Sequence, residues 1–247
     1  MPFTFSHPAI VIPLAKLSRH WLSLSGLVAG SVAPDFEYFF RMRMYSGISH
    51  KPEGLVLFDL PTGLMLTFLF HDLIRNSLFD NSPPFVRSRV EIFKTFNWNQ
   101  YFLHHWFAVI VSVLIGAMSH LFWDSFTHSY TFFVERYEIL RWELTIFGIH
   151  TSVHRVIQHF STVLGGAVIA YFFWKLPTHA LAPSRASRGY WPLVVALTII
   201  VSAFRLLLTH VVRQPALFIV TFISAAIVAV CVVSVLLRLK NQFHDVR

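Results

Sequence analysis

The chain of 247 residues is 55% hydrophobic and only 13% charged, with a mean hydropathy of +0.59 and a formal net charge of +8. Soluble domains carry roughly 25% charged residues, so this composition excludes a water-soluble globule. The basic residues are scattered among loops, which argues against nucleic-acid binding and leaves membrane lipids as the natural partner. The single cysteine, Cys231, excludes an intrachain disulfide and any multi-cysteine metal site.

Residues 1–8 have no basic leader and no small-residue cleavage site, and are expected to belong to the mature protein. Pro8–Val32 is apolar, yet Lys16, Arg19 and His20 fall near its middle, where charge is costly in a bilayer. This predicts an interfacial helix near Pro8–Arg19 and a short second helix ending at Pro34, with a sixth full span as the alternative. Five further runs reach about 20 residues, enough at ~1.5 Å per residue to cross a ~30 Å hydrocarbon layer. They are Gly54–Ile74, Phe102–Trp123, His154–Trp174, Trp191–Val211 and Ala216–Leu237. Trp98, Tyr101, Trp123, Trp174 and Trp191 mark their ends, as in an interfacial belt.

The connectors Asp35–Glu53 and Ser129–Val153 then share one side, and Arg75–Tyr101, Lys175–Tyr190 and the C-terminal tail the other. Pro177–Gly189 reads as a flexible polar loop, and Val212-Arg213-Gln214-Pro215 as a tight turn. The expected fold is all-α: a polytopic membrane helix bundle of five transmembrane helices plus the N-terminal interfacial, or sixth spanning, helix. Residues 1–247 form one membrane domain, with the polar site in 1–165 and a transmembrane hairpin in 190–238. Arg238 and Lys240 follow the last span directly, which favours a cytoplasmic C-terminus and an extracytoplasmic site face in the inner membrane.

The sharpest chemical signal closes the second span. His120, Asp124 and His128 are spaced by four, so each steps only about 40° around a helix and all three share one stripe. Imidazole plus carboxylate is a ligand set for zinc and similar divalent ions, and ionisable groups at the end of a span are expensive unless used. In Gly26–Glu37 the small residues let the second helix pack closely, and Pro34 places Asp35 just past its end. His50 lies on the same side of the membrane. His150, His154 and Gln158 are expected to share a helical face at the start of the third span. His7 joins them if Pro8–Arg19 is interfacial. Asp59, near the outer end of the first span, is placed to orient a ligand histidine.

The set Phe3-Thr4-Phe5-Ser6-His7-Pro8, Gly30–Tyr38, Phe58-Asp59-Leu60-Pro61, Ser119-His120, Asp124, Thr127-His128, Gln158 and Ser161-Thr162 resembles the bacterial "domain of unknown function 4184" membrane family. The match runs from residue 3 to about residue 165. The order of polar residues is also similar to that of inner-membrane metal-dependent hydrolases, and more distantly to the zinc-dependent phospholipase C and single-strand nuclease superfamily. That resemblance implies metal ligands at His7, Asp35, His50, His120, Asp124, His128 and His154, with His150 competing for the last place. Gln158 stands where the superfamily has a carboxylate.

These readings lead to a membrane-embedded, divalent-metal-dependent phosphoester hydrolase, its substrate a lipid-linked phosphate. One or two ions, zinc foremost, would activate water and polarise the phosphoryl group, with Glu37 or Asp59 as base or supporting group. The alternative is a non-enzymatic transporter or lipid-binding scaffold using the same residues as a polar or structural metal site.

Overall fold

The computed structural model describes residues 3–17, 21–181, 186–209 and 215–245. Arg19, His20 and the Val212-Arg213-Gln214 turn lie outside the described residues, as does the side chain of Lys16.

Five helices are long and apolar enough to cross a membrane. In chain order the helices are α1 (Pro8–Leu17), α2 (Leu24–Val32), α3 (Phe36–Arg41), α4 (Leu55–Asp80), α5 (Pro84–Val90), α6 (Trp98–Asp124), α7 (Phe132–Arg136), α8 (Val153–Trp174), α9 (Tyr190–Thr209) and α10 (Pro215–Asp245). The five long ones are α4, α6, α8, α9 and α10. Their outer faces carry exposed Leu103, Phe107, Phe122, Val163, Leu193, Ile200, Phe204 and Phe218. So continuous an apolar surface is stable only against an apolar solvent, and the chain is an all-α membrane helix bundle.

The segment Pro8–Val32 is two helices of 10 and 9 residues. Each is about 15 Å long, half of what a bilayer core needs, so the five-span expectation holds. Ser23 starts α2 as its N-cap, its hydroxyl accepting from the Gly26 amide at 3.3 Å.

The chain divides into two compact units. The first takes in the chain up to Asp35, Gly47–Leu66 and Phe102–Lys175; the second takes in Phe36–Ser46, Thr67–Tyr101 and the chain from Leu176. In the first unit α2 lies against α6 at backbone contact. A Cβ on Gly30 would sit 2.1 Å from the Val113 carbonyl oxygen, and one on Gly116 would sit 2.3 Å from that of Leu27. Gly26 and Gly30 are four apart, the small-residue spacing that lets membrane helices approach closely. The Ser23 amide, donating to Ser112 Oγ at 2.8 Å, fixes the register. Gly165 of α8 also packs closely on Ser6, an added Cβ falling 2.8 Å from the Ser6 carbonyl oxygen, and the Ser6 hydroxyl donates to the Thr162 carbonyl at 3.0 Å.

In the second unit α9 and α10 form an antiparallel hairpin around buried Tyr190, Val194, Ala229 and Val233. The His71 ring stacks on Trp98 with centroids 4.5 Å apart, and Arg75 donates to the Phe96 carbonyl at 2.8 Å.

Two departures from the sequence reading matter for the site. The α4 helix opens with a π turn over Leu55–Asp59, in which the Leu60 amide bonds to the Leu55 carbonyl, and contains a second over Leu69–Ile74. The first turn ends two residues before Pro61, which cannot donate a helical hydrogen bond, and it carries the fully buried Asp59. The second departure is a β-hairpin, β1 (Glu143–Ile146) with β2 (Ile149–Ser152), which is the only strand pair among the described residues. Phe147 and Gly148 turn it with φ of 50° and 80°, the positive values a two-residue hairpin needs.

The α2–α6 contact yields a prediction. Gly30→Val should lower stability by about 1–3 kcal/mol through overpacking, read as a lower thermal midpoint in detergent. Gly166→Ala, with nothing within 4 Å of an added Cβ, should leave the midpoint unchanged.

Candidate metal centre

The α2–α6 contact sets the site. It brings the Ser31 carbonyl within 2.8 Å of His120 Nδ1, so that nitrogen carries the proton and donates to the carbonyl. In the neutral ring Nε2 then holds the lone pair, the arrangement of a metal-ligating histidine. His120 is fully buried.

One helical turn on, Asp124 points its Oδ2 at His120 Nε2, 3.3 Å away. The 3-10 turn Ala33–Asp35, which continues α2, delivers Asp35, also fully buried. Its Oδ2 accepts a 2.5 Å hydrogen bond from the Thr4 hydroxyl, leaving Oδ1 turned to His120 Nε2 at 3.5 Å. His50 arrives from the loop before α4, its Nδ1 2.9 Å from the Ser49 hydroxyl. Its Nε2 lies 3.6 Å from Asp35 Oδ1 and 3.8 Å from Asp124 Oδ2.

Asp35, His50, His120 and Asp124 thus each offer one ligand atom, and the four atoms lie within 4.8 Å of one another. A zinc-sized tetrahedral ion, bonded at about 2.0–2.2 Å to nitrogen and oxygen, would hold its ligands about 3.3–3.6 Å apart. Direct charge-assisted hydrogen bonds would close to about 2.7–2.9 Å. The four histidine–carboxylate approaches, 3.3 to 3.8 Å, fit the edges of such a tetrahedron better than they fit hydrogen bonds. Asp35 Oδ1, His120 Nε2 and both Asp124 oxygens are buried without a hydrogen-bond partner. Two buried carboxylates so close together need compensating positive charge. The residues therefore fit a divalent cation.

His7 completes the cluster from the 3-10 turn Thr4–Ser6 at the head of α1. Its ring stacks on His120 with centroids 3.8 Å apart, and its Nε2 lies 3.4 Å from Asp124 Oδ1. Burial, reinforced by the neighbouring His120, pushes the His7 imidazole down to about 3, so the ring is neutral and keeps a lone pair. Asp124 consequently faces His120 and His50 with one oxygen and His7 with the other. Burial alone would raise the Asp35 pKa, but the adjacent His120 and His50 overcome it and hold the carboxyl below its usual range.

The other expected residues are not among the four converging ligands. His128 stays beside Asp124, its Nδ1 3.2 Å from that residue's backbone carbonyl and 3.5 Å from Oδ2, and burial lowers its pKa against the pull of Asp124. His154 is buried but engaged: its Nδ1 donates to the Leu140 carbonyl at 3.0 Å, and its Nε2 faces the Ser129 and Ser152 hydroxyls at 3.2 Å each. His150 does not share a helical face with His154 and Gln158. It is exposed on β2, beside the Thr145 hydroxyl at 3.0 Å, because α8 begins only at Val153. The Glu37 carboxylate takes Arg41 Nη2 at 2.9 Å and the Ser46 hydroxyl at 3.2 Å. The π turn carrying Asp59 packs on the turn carrying Asp35.

Sequence reasoning gave no role to Thr4, Ser49 or the Ser31 carbonyl. Thr4 stands three residues before His7 and could have been noticed; a backbone carbonyl has no residue-type signature.

Over residues 1–235 the chain matches the family described as a domain of unknown function (DUF4184), and it belongs to that family. No curated protein and no solved structure matches it.

Two substitutions test the assignment of roles. Thr4→Val removes the donor that orients Asp35, and should weaken metal affinity about 10–100-fold, as loss of a ligand's supporting hydrogen bond typically does. His154→Gln should leave it unchanged. Titration against a chelating indicator reads both, and the opposite ranking would contradict these roles.

Proposed function

We propose that this protein is a membrane-embedded, divalent-metal-dependent hydrolase of a lipid-linked phosphoester. The reading is carried by the four converging ligand atoms of Asp35, His50, His120 and Asp124. Zinc is the favoured ion, because two imidazoles and two carboxylates with ligand atoms within 4.8 Å of one another suit it. His7 and Asp124 Oδ1 extend the ligand set toward a second ion. Where one of the four ligands gives way to water or substrate, the ion would supply Lewis acidity toward a phosphoryl oxygen and would acidify water at neutral pH.

The chain's own residues do the rest. Ser31 and Thr4 hold His120 and Asp35 in the orientation for binding. Asp59, buried on the adjoining π turn, is the candidate proton acceptor or orienting group, and Glu37, engaged by Arg41, is the lesser one. The site face is read as lying at head-group level, outside the cytoplasm, in the inner membrane.

The second reading is a non-enzymatic transporter or lipid-binding scaffold that uses the same buried residues, Asp35, Asp59 and Asp124 among them, as a polar site. Flux through proteoliposomes without hydrolysis of any lipid phosphate would favour it.

The hydrolase reading predicts stoichiometric metal in the purified protein and loss of most of it in Asp124→Ala. It also predicts phosphate release from a lipid phosphate that stops on chelation and returns with added zinc. Equally negligible metal in both proteins, measured by plasma mass spectrometry, would overturn it.

A further inference from the structure

Within the first unit a cleft of about 170 Å³ opens beside the cluster, lined by Ser6, His7, Ile10, Trp123, Leu164 and Val168, among others. On α8 its wall is the stripe Ser161, Leu164, Gly165 and Val168, spaced three, four and seven apart, hence one helical face. These residues follow the polar first turns of α8, which carry His154, Arg155, Gln158 and His159. The cleft therefore lies on the hydrocarbon side of the cluster.

Its two hydroxyls are spent on backbone: Ser6 donates to the Thr162 carbonyl at 3.0 Å and Ser161 to the Ile157 carbonyl at 2.6 Å. Besides the Trp123 indole, His7 remains as the polar feature, with 4% of its surface exposed and both ring nitrogens lacking a hydrogen-bond partner. The same ring reaches Asp124 at 3.4 Å. An apolar cavity of about 150 Å³ stays dry and accepts a hydrocarbon guest.

From this we infer that the cleft binds the phosphate-proximal methylenes of the substrate's hydrocarbon chain, with His7 at the junction between chain and phosphate. The inference rests on the hydrolase reading for its head group and adds the substrate class. That class is the phosphate ester of a single long chain whose first methylenes lie close to phosphorus, because the ring that lines the cleft also touches the cluster. A glycerol phosphate would leave the cleft empty. A diacylglycerol phosphate would have to bring two chains to a space suited to one.

The test uses the zinc-loaded full chain in lipid nanodiscs and hexadecyl phosphate bearing a diazirine near its phosphate. Photolabelling should concentrate on Ile10, Leu164 and Val168, and unlabelled hexadecyl phosphate should displace it where glycerol phosphate does not. Val168→Trp, with metal content and thermal midpoint retained, should reduce labelling at least tenfold. Ile10→Trp, from the opposite wall, serves if Val168→Trp does not fold.

Label spread evenly over outward-facing residues such as Leu193 and Ile200, or unaffected by filling the cleft, would mean ordinary bilayer contact and would overturn the inference. Phosphate release separates the two ideas. Release from glycerol phosphate equal to that from hexadecyl phosphate, with scattered label, sinks the chain site and leaves hydrolysis standing. Localised label without release from any phosphate sinks hydrolysis and leaves the chain site.

Discussion

Two carboxylates, Asp35 and Asp124, are held with 0% and 4% of their surface exposed among the helices of a membrane protein. Removing such groups from water costs several kcal/mol each even after relaxation, and a bilayer offers no second chance to hydrate them. Much of the first unit is arranged around meeting that cost. The backbone contact of α2 with α6, possible because Gly30 and Gly116 have no side chain, carries His120 to the carboxylates. It also spends the outer nitrogen of that ring on Ser31. The Thr4–Ser6 turn, pressed on Gly165, contributes both the hydroxyl that orients Asp35 and the imidazole that covers Asp124.

On the proposed reading a divalent cation supplies the missing positive charge, and the contacts just beyond the cluster explain why ligands of modest number can be specific. Three of the four ligands have their free direction fixed by a second bond: Ser31 for His120, Thr4 for Asp35, Ser49 for His50. Orientation of this kind raises ligand basicity and lowers the entropy of ordering on binding. The apolar cleft next to His7 then gives the site a direction, with charge toward the cluster and hydrocarbon toward the lipid.

Much of this was legible in the sequence, for reasons that can be named. The five spans were visible because length and apolarity are constraints the bilayer itself imposes. His120 and Asp124 were visible because helical spacing by four places them on one stripe. Whether His7 belonged depended on how Pro8–Val32 folds, and the separation into two short helices decides it. What stayed hidden is tertiary or backbone in origin. The Ser31 carbonyl leaves no mark in residue types. The π turns of α4 shift which of its residues face inward without altering hydropathy. The hairpin at Phe147-Gly148 is short, but its β-branched Thr145, Ile146, Ile149 and Thr151 around a glycine turn were a signal for strands. Heeding it would have removed His150 from the helical face.

The most direct test of the central claim, that this cluster holds a divalent ion, is anomalous diffraction at the zinc edge from crystals of the purified protein. The account predicts an anomalous peak about 2.0–2.2 Å from Nε2 of His50 and His120, Oδ1 of Asp35 and Oδ2 of Asp124. No peak at the cluster, with His120 Nε2 closed to about 2.7–2.9 Å from a carboxylate as a plain charged hydrogen bond, would contradict it.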